Sequence, residues 1–147
     1  MVEVGAKAPS FSVLDHTGKK VSLESLRGKK VVLWFYPKAD TPGCTAEGCA
    51  FRDRQAEFEK LGAVLYGVSF DTVAENAAFA QKFGFEFPLL CDTERQIGIA
   101  YGACATAKDT YAKRIAYLIS ETGTVLKAFP KVEAAAFPQQ VLEMLTA

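Results

Sequence analysis

Val31-Val32-Leu33-Trp34-Phe35-Tyr36-Pro37-Lys38-Ala39-Asp40-Thr41-Pro42-Gly43-Cys44-Thr45-Ala46-Glu47-Gly48-Cys49 is the stretch from which the rest of the chain can be read. Its first six residues are apolar without interruption, as expected of a strand in the middle of a sheet covered on both faces. A Pro/Gly loop follows, and Cys44 stands where a helix begins. A thiol in that place faces unpaired backbone N–H groups and the positive end of the helix dipole, both of which favour thiolate. The thiolate is the nucleophile, and Cys49, five residues on, is a candidate to resolve the oxidised sulfur. The stretch therefore points to thiol redox chemistry on an α/β scaffold.

Residues 11–14 and 21–23 are short strands flanking the turn 15–20, which predicts a hairpin. The helix begun at Cys44 is expected to run to Leu61, with Phe51, Phe58 and Leu61 near one face and Gly62 ending it. Residues 63–70 read as a second buried strand. Thr72 and Glu75 form a capping box for a helix over 72–83 that Gly84 stops. A short strand at 87–91 and a short helix at 94–101 follow. Strands at 115–120 and 124–129 are joined by the turn Glu121-Thr122-Gly123. A closing helix over 137–145 carries Pro138 in its first turn, where a missing N–H costs nothing. The order β-β-β-α-β-α-β-α-β-β-α predicts a mixed sheet with helices on both faces, in one domain over residues 1–147.

The 147 residues are half apolar and carry no net charge. A chain of this length buries about two-thirds of its unfolded surface and needs no staples. No basic stripe exists to hold a phosphate backbone or anionic lipid, so neither nucleic acid nor a membrane surface is an expected partner. The N-terminus shows no secretory pattern, and the longest apolar run, 31–37, is far too short to span a bilayer. Four cysteines without an export signal read as reduced thiols, which points to the cytoplasm.

Pro37-x-x-x-Thr41-x-x-Cys44, followed by Glu47, Cys49 and Phe51-Arg52-Asp53, resembles the peroxiredoxin active-site segment. It is similar in particular to the bacterioferritin-comigratory-protein, or PrxQ, branch, whose resolving cysteine lies five positions after the peroxidatic one. The resemblance runs from Gly5-x-x-Ala8-Pro9-x-Phe11, through residues 28–33, to Arg114. It implies a thioredoxin-like fold with an extra N-terminal hairpin, and reduction of hydrogen peroxide and organic hydroperoxides. It also implies a Cys44–Cys49 disulfide, recycled by thioredoxin or a similar dithiol reductant, in a monomer or weak homodimer without cofactor or metal. Arg114 matches the family's active-site arginine. The residue after it, Ile115, departs from the small or hydroxyl side chain common in related chains.

The chemistry asks for these residue types. An unperturbed thiol, with pKa about 8.5, is only a few per cent ionised at pH 7. Negative charge then develops on the leaving peroxide oxygen and must meet fixed donors. The candidates are the backbone N–H groups of Gly43 and Cys44, the Thr41 hydroxyl and the permanently charged Arg114. Pro37 and Pro42 would shape the loop and limit the approach of water, and Glu47 has a supporting place near the helix dipole. The only histidine, His16, reads as a surface residue of the hairpin turn. Cys91 reads as structural, and Cys104 as a residue whose loop, 102–112, could pass near the site as an alternative resolver.

One feature of the Cys44/Cys49 spacing is geometric. Five residues along an α-helix give about 7.5 Å of rise and Cα atoms roughly 8–9 Å apart. Disulfides need less than about 7 Å, so the helix start must unwind before such a bond forms. Two rival readings are weaker. Thiol–disulfide oxidoreductases on this scaffold carry C-x-x-C, whereas four residues separate Cys44 from Cys49. A zinc module would want paired knuckles or histidine helpers, and neither is present.

Overall fold

The computed structural model describes residues 1–146. The apolar run of the key stretch is strand β3 (Lys30–Phe35), the middle of a five-stranded sheet. It pairs in parallel with β4 (Ala63–Ser69) and antiparallel with β6 (Ala116–Ile119). Outside these lie β5 (Leu89–Cys91), parallel to β4, and β7 (Val125–Phe129), antiparallel to β6. The sheet is mixed, as expected.

Alternate residues of β3 enter opposite halves of the core, which is why the strand tolerates no polar residue after Lys30. Val32, Trp34 and Tyr36 pack with Phe51 and Phe58 of α1 (Pro42–Lys60), Phe79 of α2 (Val73–Phe83) and Val141 of α4 (Phe137–Thr146). Val31, Leu33 and Phe35 pack with Ile97 and Tyr101 of α3 (Gln96–Tyr101) and with Phe11 and Val21 of the N-terminal hairpin. Helices thus cover both faces. Leu61, expected on the buried face of α1, is 37% exposed. The helix has already ended at Lys60, so Leu61 leaves its register, and Gly62 turns the chain with φ 72°.

The hairpin of β1 (Ser12–Leu14) and β2 (Lys20–Ser22) forms its own two-stranded sheet, and a 3-10 turn at Leu23–Leu26 follows it. The buried Asp15 carboxylate organises the turn by accepting from the Thr17 and Lys19 N–H groups. His16 is not the plain surface residue that the sequence suggests. Its Nδ1 accepts the Leu89 N–H at 3.1 Å, which ties the hairpin to β5, the edge strand of the main sheet. Burial lowers its pKa against the opposing charge of Asp15, in keeping with a neutral ring that must accept. The Thr72–Glu75 capping box and the left-handed Gly84 stop of α2 are both present. Among the described residues no helix is long and apolar enough to cross a membrane.

Candidate active site

β3 ends at Phe35, and residues 36–41 carry the chain across the end of the sheet to α1. The helix begins two residues earlier than the sequence suggests, at Pro42, with Thr41 as N-cap. Pro42 suits the first helical position because its fixed φ is helical and its N–H is not needed. Cys44 is therefore the third helical residue, still among the first four whose N–H groups have no intrahelical partner. The first helical bond runs from the Thr45 N–H to the Thr41 carbonyl, and the Thr41 side chain caps no amide. The helix start keeps its donors for something else.

The sequence places the Thr41 hydroxyl as a donor toward substrate. In the structure its proton is already committed, since Oγ1 donates to the Lys38 carbonyl at 2.7 Å. The loop needs that bond to close the turn ahead of the helix, so the oxygen is left as an acceptor.

Arg114, from the residue before the buried Ile115 that leads into β6, reaches Cys44 from the neighbouring strand. Its Nη2 donates to Cys44 Sγ at 3.4 Å and its Nη1 to Glu47 Oε1 at 2.7 Å. Cys44 is fully buried and Arg114 partly so, which reduces the screening of the pair by water. Ile115 leaves the arginine in place. Gly43 makes room for it, because a Cβ there would lie 2.9 Å from Arg114 Nη2.

Glu47 is not in the first turn of α1, as its expected dipole role requires; the earlier helix start puts it in the second. It is fully buried, and Oε2 has no hydrogen-bond partner among the described residues. Burial pushes its pKa up to about 7, with the Arg114 bond and charge pulling the other way. Burial pulls Arg114 down in turn, but Cys44 and Glu47 outweigh it and its net shift is upward. One of the two Glu47 oxygens lacks a donor, which favours the protonated form.

Thr41, Gly43, Cys44, Glu47 and Arg114 are thus brought together, with Pro37 on the loop beside them. Cys49 lies on the same unbroken helix as Cys44, half-buried against the α1 side of the core, and both thiols are free. Cys104 is in the opposite half of the core with Phe70 and Ile97, so its loop does not bring that sulfur to Cys44. Burial raises the pKa of both Cys91 and Cys104. Cys91 Sγ accepts from Asn76 Nδ2 at 3.4 Å and caps the end of β5, a structural place. A surface cleft of about 340 Å³ between Leu14, Val73 and Thr93 contains none of the residues around Cys44.

Sequence reasoning missed the cluster beneath the loop. Asp71 follows β4, is 5% exposed, and accepts the Ala39 N–H at 2.8 Å and Lys38 Nζ at 3.0 Å. The signal was available: β3 and β4 are parallel, and sites of open α/β sheets gather at the carboxyl ends of parallel strands.

The AhpC/TSA family profile matches residues 4–128. A putative peroxiredoxin bcp from Coxiella burnetii is 39% identical over 98% of this chain and 99% of its own. The solved structure of Xanthomonas campestris bacterioferritin comigratory protein, described for its alkyl peroxide reduction activity, superposes with a TM-score of 0.86 at 33% identity, covering 92% of this chain and 90% of that one. Xanthomonas campestris peroxiredoxin Q gives a TM-score of 0.86 at 34% identity, over 92% of this chain and 89% of that one. With a buried cysteine at a helix start facing a guanidinium, and a thioredoxin-like fold around it, this chain belongs to the AhpC/TSA family and is a thiol-dependent peroxidase of the bacterioferritin-comigratory-protein and peroxiredoxin Q type.

Proposed function

We propose that Cys44 is the peroxidatic nucleophile and Cys49 the resolving thiol. The observation that supports this most is the Arg114 guanidinium spanning Cys44 Sγ and Glu47 at the uncapped start of α1. The guanidinium donates to the sulfur and stands ready for the charge that develops on oxygen. The thiolate attacks one peroxide oxygen, the O–O bond breaks, and the other oxygen leaves as alkoxide or hydroxide and takes up a proton. Cys44 becomes a sulfenic acid. The Thr41 oxygen accepts from a peroxide O–H, while the Gly43 and Cys44 N–H groups and Arg114 donate.

The Cys49 thiol then attacks the sulfenic sulfur, water leaves, and a Cys44–Cys49 disulfide forms. Two exchange steps with a dithiol protein of the thioredoxin kind return both thiols and oxidise the reductant. Every group named comes from one chain, so a monomer or weak homodimer suffices. Four free thiols suit a reducing cytoplasm.

The test is stopped-flow fluorescence of Trp34, the only tryptophan, whose ring packs tilted against Phe51 of α1 with centroids 5.0 Å apart. Wild type should show a peroxide-dependent signal that Cys44→Ser lacks, and peptide mapping should find Cys44 joined to Cys49. Full peroxidase activity in Cys44→Ser overturns the first assignment. A bond from Cys44 to Cys104, or to Cys44 of another chain, overturns the second.

A further inference from the structure

Residues 37–40 belong to no strand or helix and lead into Thr41 and the helix that carries Cys44. Asp40 sits in the left-handed region, with φ 58°, so the loop holds a shape that its own backbone does not favour. What holds it is a cluster at the end of β4 and the start of α2. Asp71 Oδ2 accepts the Ala39 N–H at 2.8 Å and the Ser69 hydroxyl at 2.7 Å, and Oδ1 accepts Lys38 Nζ at 3.0 Å. Asn76, fully buried, donates to Ser69 Oγ at 3.2 Å and accepts the Tyr36 hydroxyl at 2.6 Å. Tyr36 and Ala39, on either side of Pro37 and Lys38, are therefore tied to one buried network. Thr41 donates to the carbonyl of Lys38, the residue whose ammonium Asp71 holds.

We propose that Asp71 is a positioning residue for the peroxide reaction: its carboxylate fixes loop 37–40, and through Lys38 the orientation of the Thr41 oxygen. This rests on Cys44 being the nucleophile. The anchors Ser69, Asp71 and Asn76 lie at the end of β4, between β4 and α2, and in α2, outside the first turns of α1, and so stay in place when those turns open for the resolving step. Asp71 consequently matters for oxidation of Cys44 and not for closure of the disulfide.

Asp71→Asn keeps the shape but turns one acceptor into a donor against groups that all donate. It should lower the second-order rate constant for oxidation by peroxide, read by Trp34 fluorescence, by about tenfold or more, since small misplacements in a site cost that much. The rate of disulfide formation should be unchanged or higher. Lys38→Met, at a side chain 42% exposed, removes one arm and folds even if Asp71→Asn does not; its expected deficit is about threefold. That deficit should persist at about 1 M KCl, where a pure charge effect is screened. Oxidation rates like wild type in the variants that fold, equal slowing of both steps, or a Lys38→Met deficit that vanishes in high salt would each overturn the proposal. An oxidation signal retained in Cys44→Ser would instead overturn the assignment of Cys44.

Discussion

Arg114 reaches two partners at once because residue 43 has no side chain. A Cβ on Gly43 would lie 2.9 Å from Nη2, so Gly43→Ala should displace the guanidinium from Cys44 while leaving α1 a better helix former. We expect its peroxide rate constant to fall by about tenfold, with no loss of helical signal by circular dichroism. Arg114→Lys keeps a charge facing Glu47 but loses the planar fork that serves sulfur and carboxylate together. It should slow peroxide reduction by at least about tenfold, or about 1.4 kcal/mol, with little change in thermal stability. Unchanged peroxide kinetics in the folded Lys variant would remove Arg114 from the mechanism.

In the proposed mechanism the Cys44 helix must both present the thiol and give way. Its first turns carry Gly43 and Gly48, each costing an α-helix up to about 1 kcal/mol relative to alanine. Gly48 is there for packing, since the Phe85 ring lies 2.5 Å from where its Cβ would be. The same absence of a side chain weakens the turn between the two cysteines. Because a helical i, i+5 pair is too far apart for a disulfide, oxidation should open this segment. Amide exchange across roughly residues 41–52 should be faster, and helix content lower, in the oxidised protein than in the reduced one. Cys49→Ser should react once with peroxide, stop at the sulfenic acid, and over-oxidise as peroxide is raised, as mass spectrometry would show. Equal exchange in both redox states would refute the opening.

For the molecule as a whole, buried carboxylates make stability depend on pH. Glu47 has its pKa raised by burial to about 7 from an ordinary 4.5, and Asp92, which accepts the Ile97 and Gly98 N–H groups, is raised by burial to about 6 from 3.8. Between the ordinary and raised values the folded protein binds more protons than the unfolded chain, so stability falls as pH rises through that window. His16 works in the opposite sense: its pKa is lowered, and its contribution is lost as pH falls below about 6.5. Comparing wild type with Glu47→Gln isolates the first effect. From pH about 4.5 to about 7, at about 1.4 kcal/mol per pH unit, wild type should lose up to about 3 kcal/mol relative to the variant. Urea unfolding across that range checks it, and parallel curves for the two proteins would show that Glu47 is not held protonated.

Local patterns were enough for much of this protein. The apolar run into Pro37, the capping box at Thr72 and Glu75, and the glycines that stop helices act within a few residues of chain, so the strands, helices and central place of β3 were legible without coordinates. The meeting of Cys44 with Arg114 was also expected, through the resemblance. Tertiary structure decided what depends on neighbours far along the chain. Burial of Glu47 follows from Arg114, 67 residues away, and the neutral His16 follows from Leu89, 73 residues away. The proton of Thr41 is committed by a turn only three residues long, but the turn keeps its shape through Asp71, which lies 32 residues beyond Ala39. Periodicity and capping report the energetics of one element, whereas the partner of a buried polar group is set by which strand ends the fold places side by side.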